Sequence, residues 1–275
     1  MSDLKTILVH LDASADIARR LQFARQVAQA HGARLDVLYA VLPSVLHPYA
    51  FVGDGQAALA VMQAETEERE RAKSAFESAR AAGDVAMTWH QTPDPPAQAL
   101  VDLAWSADLM LLAQHDPSAE GYSGVPSDFA TTVLMASGKP GLLMPYIGPR
   151  ATCGENVLVA WKPTPESARA VSAALPFLQR ARQVHVATWD EAGAGAPSAP
   201  GIENFLDRHG IKATVHHGGS PTRELGELLL SLAAGLQVDL LVMGCYGHGR
   251  AREWVLGGVS RTVMHSMTVP VLMVH

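Results

Sequence analysis

The plan of the first half of this chain returns in the second, and that return limits the possible folds more than any other feature. Lys5-Thr6-Ile7-Leu8-Val9-His10-Leu11-Asp12 is an apolar run closed by an acid, and Asn156-Val157-Leu158-Val159-Ala160-Trp161 echoes it. Ala107-Asp108-Leu109 is echoed by Val238-Asp239-Leu240, and Lys139-Pro140-Gly141-Leu142-Leu143-Met144 by Val269-Pro270-Val271-Leu272-Met273-Val274. A repeat of this length is a duplicated domain rather than a solenoid of short units.

Continuous apolar runs of this kind read as strands of a parallel sheet covered on both faces. Between the first two of them, Ala15 to His31 carries helical spacing at Ile17, Leu21, Ala24, Val27 and Ala28, and stops at Gly32. Leu35 to Val41 is the next strand, so the unit opens with a βαβ crossover. A long helix over Gln56 to Ala82 carries the run Glu65-Thr66-Glu67-Glu68-Arg69-Glu70-Arg71, whose mixed signs suit a solvated face. Strands over Val85 to His90 and Ala107 to Ala113, helices over Ala97 to Ser106 and Ser127 to Ser137, and a last strand over Pro140 to Met144 complete the half. The second half offers the same order: Asn156 to Trp161, Ser167 to Leu178, Gln183 to Trp189, Ile202 to His209, Ile211 to His217, Pro221 to Ala234 and Val238 to Met243. The pattern predicts an α/β protein with two tandem doubly wound domains, residues 1–148 and 154–275, each a five-stranded, mostly parallel sheet with helices on both faces. At 275 residues and 48% hydrophobic content the chain can fill both cores.

Several functional classes are disfavoured at once. A net charge of -6 and a pI near 6.0 argue against a broad basic face for nucleic acid. Cys153 and Cys245 are too few for a disulfide framework, which favours a reducing compartment. The start, MSDLKTILVHLDAS, has no long apolar core of a secretory signal, and no apolar run reaches membrane-spanning length, so the expected location is the cytoplasm. Among the 12 histidines, His216-His217, His248, His265 and His275 match no metal-ligand motif, and no metal is expected. There is no GxSxG elbow and no Walker A ending, so no catalytic residues are assigned.

The stretch from Leu240 to His275 carries the chemistry. An apolar strand leads into Gly244, Gly247 and Gly249, and helical periodicity follows from Arg250. Glycines here permit positive φ and let a ligand approach the backbone without a Cβ in the way. A second pair, Gly257 and Gly258, runs into Val259-Ser260 at a helix start, where free N-H groups and the helix dipole favour an anion. Gly244-x2-Gly247-x9-Gly257, followed by Gly258-Val259-Ser260, resembles the nucleotide-binding signature of the universal stress protein family. The departure is Gly258, which stands where that pattern ends in a hydroxyl residue; Ser260 matches a second position often filled by one.

The resemblance implies an adenine nucleotide, ATP or AMP, with or without Mg2+, held in the C-terminal domain by Met243, Gly244, Gly247, His248, Gly257, Gly258, Val259 and Ser260. Ala160, Trp161 and Lys162 would line the site after the first strand, with Thr188, Trp189, Gly218 and Gly219 beyond. It implies a sensor or stress-response role rather than an enzyme, with slow ATP hydrolysis left open. It also implies that Gly141 to Pro145 and Val271 to His275 pair within one chain as a pseudo-dimer, a homodimer remaining an open question. The other reading is a scaffold or small apolar-ligand binder in which the glycine loop is only structural.

The halves have diverged. Opposite Gly244-Cys245-Tyr246-Gly247 the first half has Ala113-Gln114-His115-Asp116, and opposite Gly257-Gly258 it has Ser127-Asp128, with acids that would repel phosphate. Conversely Asp12 matches the acid that the family places after its first strand, whereas the second half has Lys162 there, expected to face solvent.

Overall fold

The computed structural model describes residues 3–42, 55–118, 123–147, 152–189, 199–221, 224–245 and 258–275. Two compact units divide between Ser137 and Gly138.

In the first unit, strands β1 (Thr6–Leu11), β2 (Arg34–Tyr39), β3 (Met87–Gln91) and β4 (Leu109–Ala113) lie in the order β3-β2-β1-β4. All of these pairings are parallel. The apolar runs predicted as doubly covered strands are that: Ile7, Leu8, Val9, Leu35, Val37, Met110 and Leu111 are completely buried. Helix α1 (Ile17–His31) joins β1 to β2 and α2 (Gly55–Ala81) joins β2 to β3, two steps in one direction across the sheet. Right-handed crossovers place both on one face, and they pack together. Helix α3 (Pro96–Ala104) returns from β3 to β4, and so packs on the opposite face with α4 (Phe129–Ser137).

The second unit repeats this with α5 (Pro165–Leu178), α6 (Ala199–Arg208), α7 (Leu225–Gly235) and α8 (Val259–Ser266). Its strands are β5 (Gly141–Met144), β6 (Asn156–Ala160), β7 (Gln183–Thr188), β8 (Ala213–His217), β9 (Leu240–Gly244) and β10 (Val271–Val274), ordered β5-β10-β9-β6-β7-β8. β5, which the repeat counts with the first half, belongs to this unit by its contacts. Leu143, Leu142 and Gly141 pair antiparallel with Val271, Leu272 and Met273, the two segments expected to meet.

The echoed aspartates have a shared structural purpose. Asp108 accepts the backbone N-H groups of Lys5 and Thr6 at 2.7 and 2.9 Å, tying the start of β4 to the start of β1. Asp239 repeats the contact more completely, accepting from Gly154, Glu155 and Asn156 at 2.9 to 3.1 Å while itself buried. Backbone donors at the head of each unit's first strand have no strand partner there, and a carboxylate satisfies them.

Candidate functional site

Strand order reverses between β6 and β9, since β7 and β8 lie to one side and β10 to the other. Open α/β sheets bind ligands at such a switch point, at the carboxyl ends of the strands. Ala160 is in register with Met243 on one side and with Ala187 on the other. The predicted residues at the ends of β6 and β9 are therefore neighbours: Met243 is buried, and Gly244, Ala160 and Trp161 are half-buried.

Gly244 departs from the expectation in one respect. Its φ lies outside the left-handed region, so positive φ is not why glycine stands here. A Cβ at Gly244 would lie 2.6 Å from the amide nitrogen of Ser167, 2.7 Å from the Glu166 carbonyl carbon and 2.8 Å from the Glu166 Cβ. The glycine admits the first turn of α5 against the end of β9. That turn starts at Thr164, whose Oγ1 accepts from Ser167 N at 3.3 Å, with Pro165 next and Glu166 in the first turn. The closeness expected for a ligand is, at Gly244, used by the protein itself.

The residue after it is also committed. Cys245 is buried; its amide donates to Val274 O at 2.9 Å, and its carbonyl lies 3.3 Å from His275 Nδ1. Gly247, His248 and Gly257 lie outside the described residues. The site resumes at Gly258, the N-cap of α8, with φ -68° and ψ 156°, again not left-handed. Its carbonyl accepts from Arg261 at 2.8 Å and Thr262 at 3.2 Å. Unlike α5, α8 has no side-chain cap among the described residues, and its first turn opens with Val259 and the buried Ser260. Helix α7 holds α8 closely: a Cβ at Gly226 would lie 2.7 Å from Thr262 Cβ, and Thr262 Oγ1 donates to Glu224 at 2.6 Å.

Trp161 donates its backbone N-H to Ala187 O at 2.9 Å, and its indole Nε1 is buried with no hydrogen-bond partner among the described residues. Lys162 is exposed, as a lysine here was expected to be, and its amide faces Ser167 Oγ at 3.3 Å. At the ends of β7 and β8, buried Thr188 pairs with His217 Nδ1 at 3.1 Å, and the Trp189 indole lies so close over Gly218 that any Cβ there would collide with it.

The first unit shows what a closed counterpart looks like. Ala13 N donates to Ser123 O at 2.9 Å and Leu42 N to Gly124 O at 2.7 Å, so this loop covers the ends of β1 and β2. Gly124 has φ +83°, and a Cβ there would sit 2.6 Å from Val41 Cβ and Cγ1. Asp12, which matches the family acid, is buried and bound internally: Oδ1 accepts from Ser14 N at 3.0 Å, Ser14 Oγ at 2.5 Å and Arg20 Nη2 at 3.2 Å. Burial alone would raise its pKa, but Arg20, His10 and Ser14 together hold the carboxyl below the usual range. Sequence reading missed Arg20. The available signal was its place among Ile17, Leu21 and Ala24 on the buried stripe of α1, where an arginine demands an acid. Next to β2 and β3 a cavity of about 370 Å³ is lined by Tyr39, Val41, Glu65, Arg69, Gln91, Thr92 and Pro93.

Residues 3–125 and 155–275 each match the model of the universal stress protein family. The chain belongs to the universal stress protein family. Among solved structures, a universal stress protein from Archaeoglobus fulgidus DSM 4304 is similar at a TM-score of 0.74 and 17% identity, over 98% of this chain and 97% of that chain. A Pseudomonas aeruginosa UCBPP-PA14 protein, described as a universal stress protein, is similar at a TM-score of 0.60 and 17% identity, over 98% and 93% of the two chains. These likenesses show the fold. A universal stress protein in complex with cAMP is 24% identical over 52% of this chain and 98% of that one, with a TM-score of 0.33. No curated protein matches the chain. The two matched segments make it a tandem universal stress protein, and among the described residues no helix is long and apolar enough to cross a membrane.

Proposed function

We propose that this tandem universal stress protein binds an adenine nucleotide, ATP or AMP, in its second domain, residues 154–275, and acts as a sensor or regulator rather than an enzyme. The reading rests on one observation above others: helix α8 begins at Gly258, in the loop-to-helix segment that follows β9, with no side-chain cap among the described residues. The positive end of the helix dipole and first-turn amides form a ready anion site. Val259 and Ser260 would supply amide and hydroxyl donors to phosphate, with Gly247, His248 and Gly257 completing the loop. Ala160 and Trp161 would face the nucleoside, and the buried Trp161 Nε1, without a hydrogen-bond partner among the described residues, is a donor suited to a polar edge of the ligand. Gly244 contributes indirectly, by seating α5 against β9.

The first domain, residues 1–148, would not take a nucleotide in this manner. Its strand-end amides at Ala13 and Leu42 are bound to the loop, and Asp12 is bound to Arg20.

Calorimetric titration of ATP and AMP into wild type and Gly258→Asp tests the site. Aspartate is a favoured N-cap, so α8 keeps its start while a carboxylate competes for the amides and repels phosphate. Tight binding by wild type with at least a tenfold loss in the variant is expected; equal binding by both would sink the assignment.

The second reading, a small-ligand binder, draws on the 370 Å³ cavity of the first unit, a volume suited to a small organic molecule. Tyr39, Val41 and Pro93 make its wall predominantly apolar, as a small apolar ligand would need, with Glu65, Arg69, Gln91 and Thr92 adding polar groups. Native mass spectrometry separates the readings, because nucleotide released from the purified protein supports the first and a different small molecule the second.

A further inference from the structure

The charged run of α2 does not serve solvent alone. Glu65 and Arg69 line the cavity of about 370 Å³ at the carboxyl ends of β2 and β3, which lie to one side of the switch point between β1 and β4. Four residues apart on one helix, they leave the same face with Cβ atoms about 5–6 Å apart. Opposite charges at this spacing ordinarily pair, as Lys73 and Glu77 do at 3.2 Å further along α2, yet among the described residues no ion pair joins Glu65 to Arg69. The facing wall is held in place. Tyr39 is in register with Gln91, so the two stand side by side, and the Tyr39 ring stacks on Trp89 with centroids 6.0 Å apart and planes 13° apart. Thr92 Oγ1 donates to Asp94 Oδ2 at 2.6 Å and accepts from Asp94 N at 3.1 Å, which fixes the turn that carries Pro93. Tyr39 is only 4% exposed and lines the cavity, and among the described residues its hydroxyl makes no hydrogen bond. Desolvation, with Glu68 adding to it, raises its pKa to about 12, so the hydroxyl remains a donor at neutral pH.

These walls suit a molecule with both an apolar body and two charges. Tyr39, Val41 and Pro93 offer apolar surface, with a few polar groups around it, as small-molecule sites do. Arg69 attracts an anion and Glu65 a cation, so an occupant with a single charge is repelled by one of them. An uncharged occupant removes water from both charges and replaces it with nothing. We propose that this cavity binds an α-amino acid with an apolar side chain: its carboxylate meets Arg69, its ammonium meets Glu65, and its side chain lies against Tyr39, Val41 and Pro93. Such a molecule carries both charges on one carbon, within the span of two side chains one helical turn apart. The Tyr39 hydroxyl and the Gln91 amide supply further hydrogen bonds to the head group. This site rests on the second reading above, a small-ligand cavity in the first unit, and is independent of nucleotide binding in the second domain.

The test is calorimetric titration of the full chain with L-phenylalanine, 3-phenylpropionate, phenethylamine and glycine at neutral pH. The last three lack in turn the ammonium, the carboxylate and the apolar side chain. L-phenylalanine is expected to bind at a single site, at least about tenfold more tightly than any of the others, since each charged contact is worth that much. Arg69→Gln and Glu65→Gln should each weaken it by about tenfold or more, and Tyr39→Phe, which keeps the ring, by roughly fivefold. Arg71→Gln, on the same helix but outside the cavity wall, should leave binding unchanged. Amide shifts in nuclear magnetic resonance, a readout that needs no variant, should move at Tyr39, Gln91 and Thr92. If 3-phenylpropionate or phenethylamine binds there as tightly as L-phenylalanine, the amino-acid assignment is overturned while the small-ligand reading stands. Binding of none of the four, or shifts confined to the second domain, overturns the site as well.

Discussion

Arg20 Nη2 lies 3.2 Å from Asp12 Oδ1, and both side chains are buried at the end of β1. The same guanidinium nitrogen reaches Asp16 Oδ1 at 2.8 Å, and Nη1 donates to His10 O at 3.1 Å. The cluster ties the first turn of α1 to the strand before it. Replacing Arg20 leaves Asp12 as an uncompensated buried charge, which costs about 3–5 kcal/mol. Urea unfolding of Arg20→Met should show a loss of that order, and Arg20→Met/Asp12→Asn should recover a large part of it. Equal stability of the single and double variants would mean that Asp12 does not depend on its partner.

Acid should act on this cluster in a defined window. Asp16 is held down to about 2: burial would raise it, and Arg20, Ser14 and Arg19 outweigh that; Asp12 is lowered as well. Because both folded pKa values lie below the ordinary 3.8, their stabilisation is complete above that value and is lost as pH falls toward 2. In urea melts the slope of stability against pH below 4 should be steeper for wild type than for Asp16→Asn.

His10 sets a second, higher window. It is fully enclosed, its Nε2 lies 2.9 Å from Ala40 O, and its ring sits 4.4 Å from that of Phe129. Desolvation lowers its pKa from 6.5 to about 4, against the opposing pull of Asp12. The unfolded chain takes up this proton first, so the contribution is present above 6.5 and disappears as pH falls toward 4, amounting to about 3 kcal/mol. Nuclear magnetic resonance titration of His10 should find no protonation down to pH 5, and His10→Gln should flatten the stability profile between 6.5 and 4.

Gly244→Ala tests the seating of α5. The added methyl meets backbone atoms of the first turn at 2.6 and 2.7 Å, so the helix must shift, at about 1–3 kcal/mol. At Gly218 the three atoms nearest an added Cβ all belong to the Trp189 side chain rather than to backbone, so Gly218→Ala should shift tryptophan fluorescence with a smaller loss of stability.

The echoed aspartates should differ in weight. Asp239→Ala strands three N-H groups beneath a buried position, whereas Asp108→Ala frees two at an exposed one. At about 1 kcal/mol or more per buried unsatisfied donor, Asp239→Ala should cost about 3 kcal/mol and Asp108→Ala clearly less in denaturant titrations.

Periodicity and repetition were enough to place the strands, because a strand buried on both faces must be apolar throughout and that requirement is written in consecutive residues. The doubled plan and the α/β class were legible for that reason, whereas the meeting of Gly141 to Leu143 with Val271 to Met273 was expected only from the family resemblance. The uses of individual side chains were not, since partners such as Asp12 and Arg20, or Gly244 and Ser167, become neighbours only after a helix has folded back over a strand. The glycine at position 244 could be read as a small residue at a strand end; that the space beside it is taken by the start of α5 was decided by packing. The same holds for His185 and His216, 31 residues apart in sequence, whose ring nitrogens meet at 3.0 Å only once β7 and β8 lie side by side. Sequence settles which segments must be buried, because hydrophobicity is a property of each residue; tertiary structure settles which groups can act together, because distance is a property of pairs.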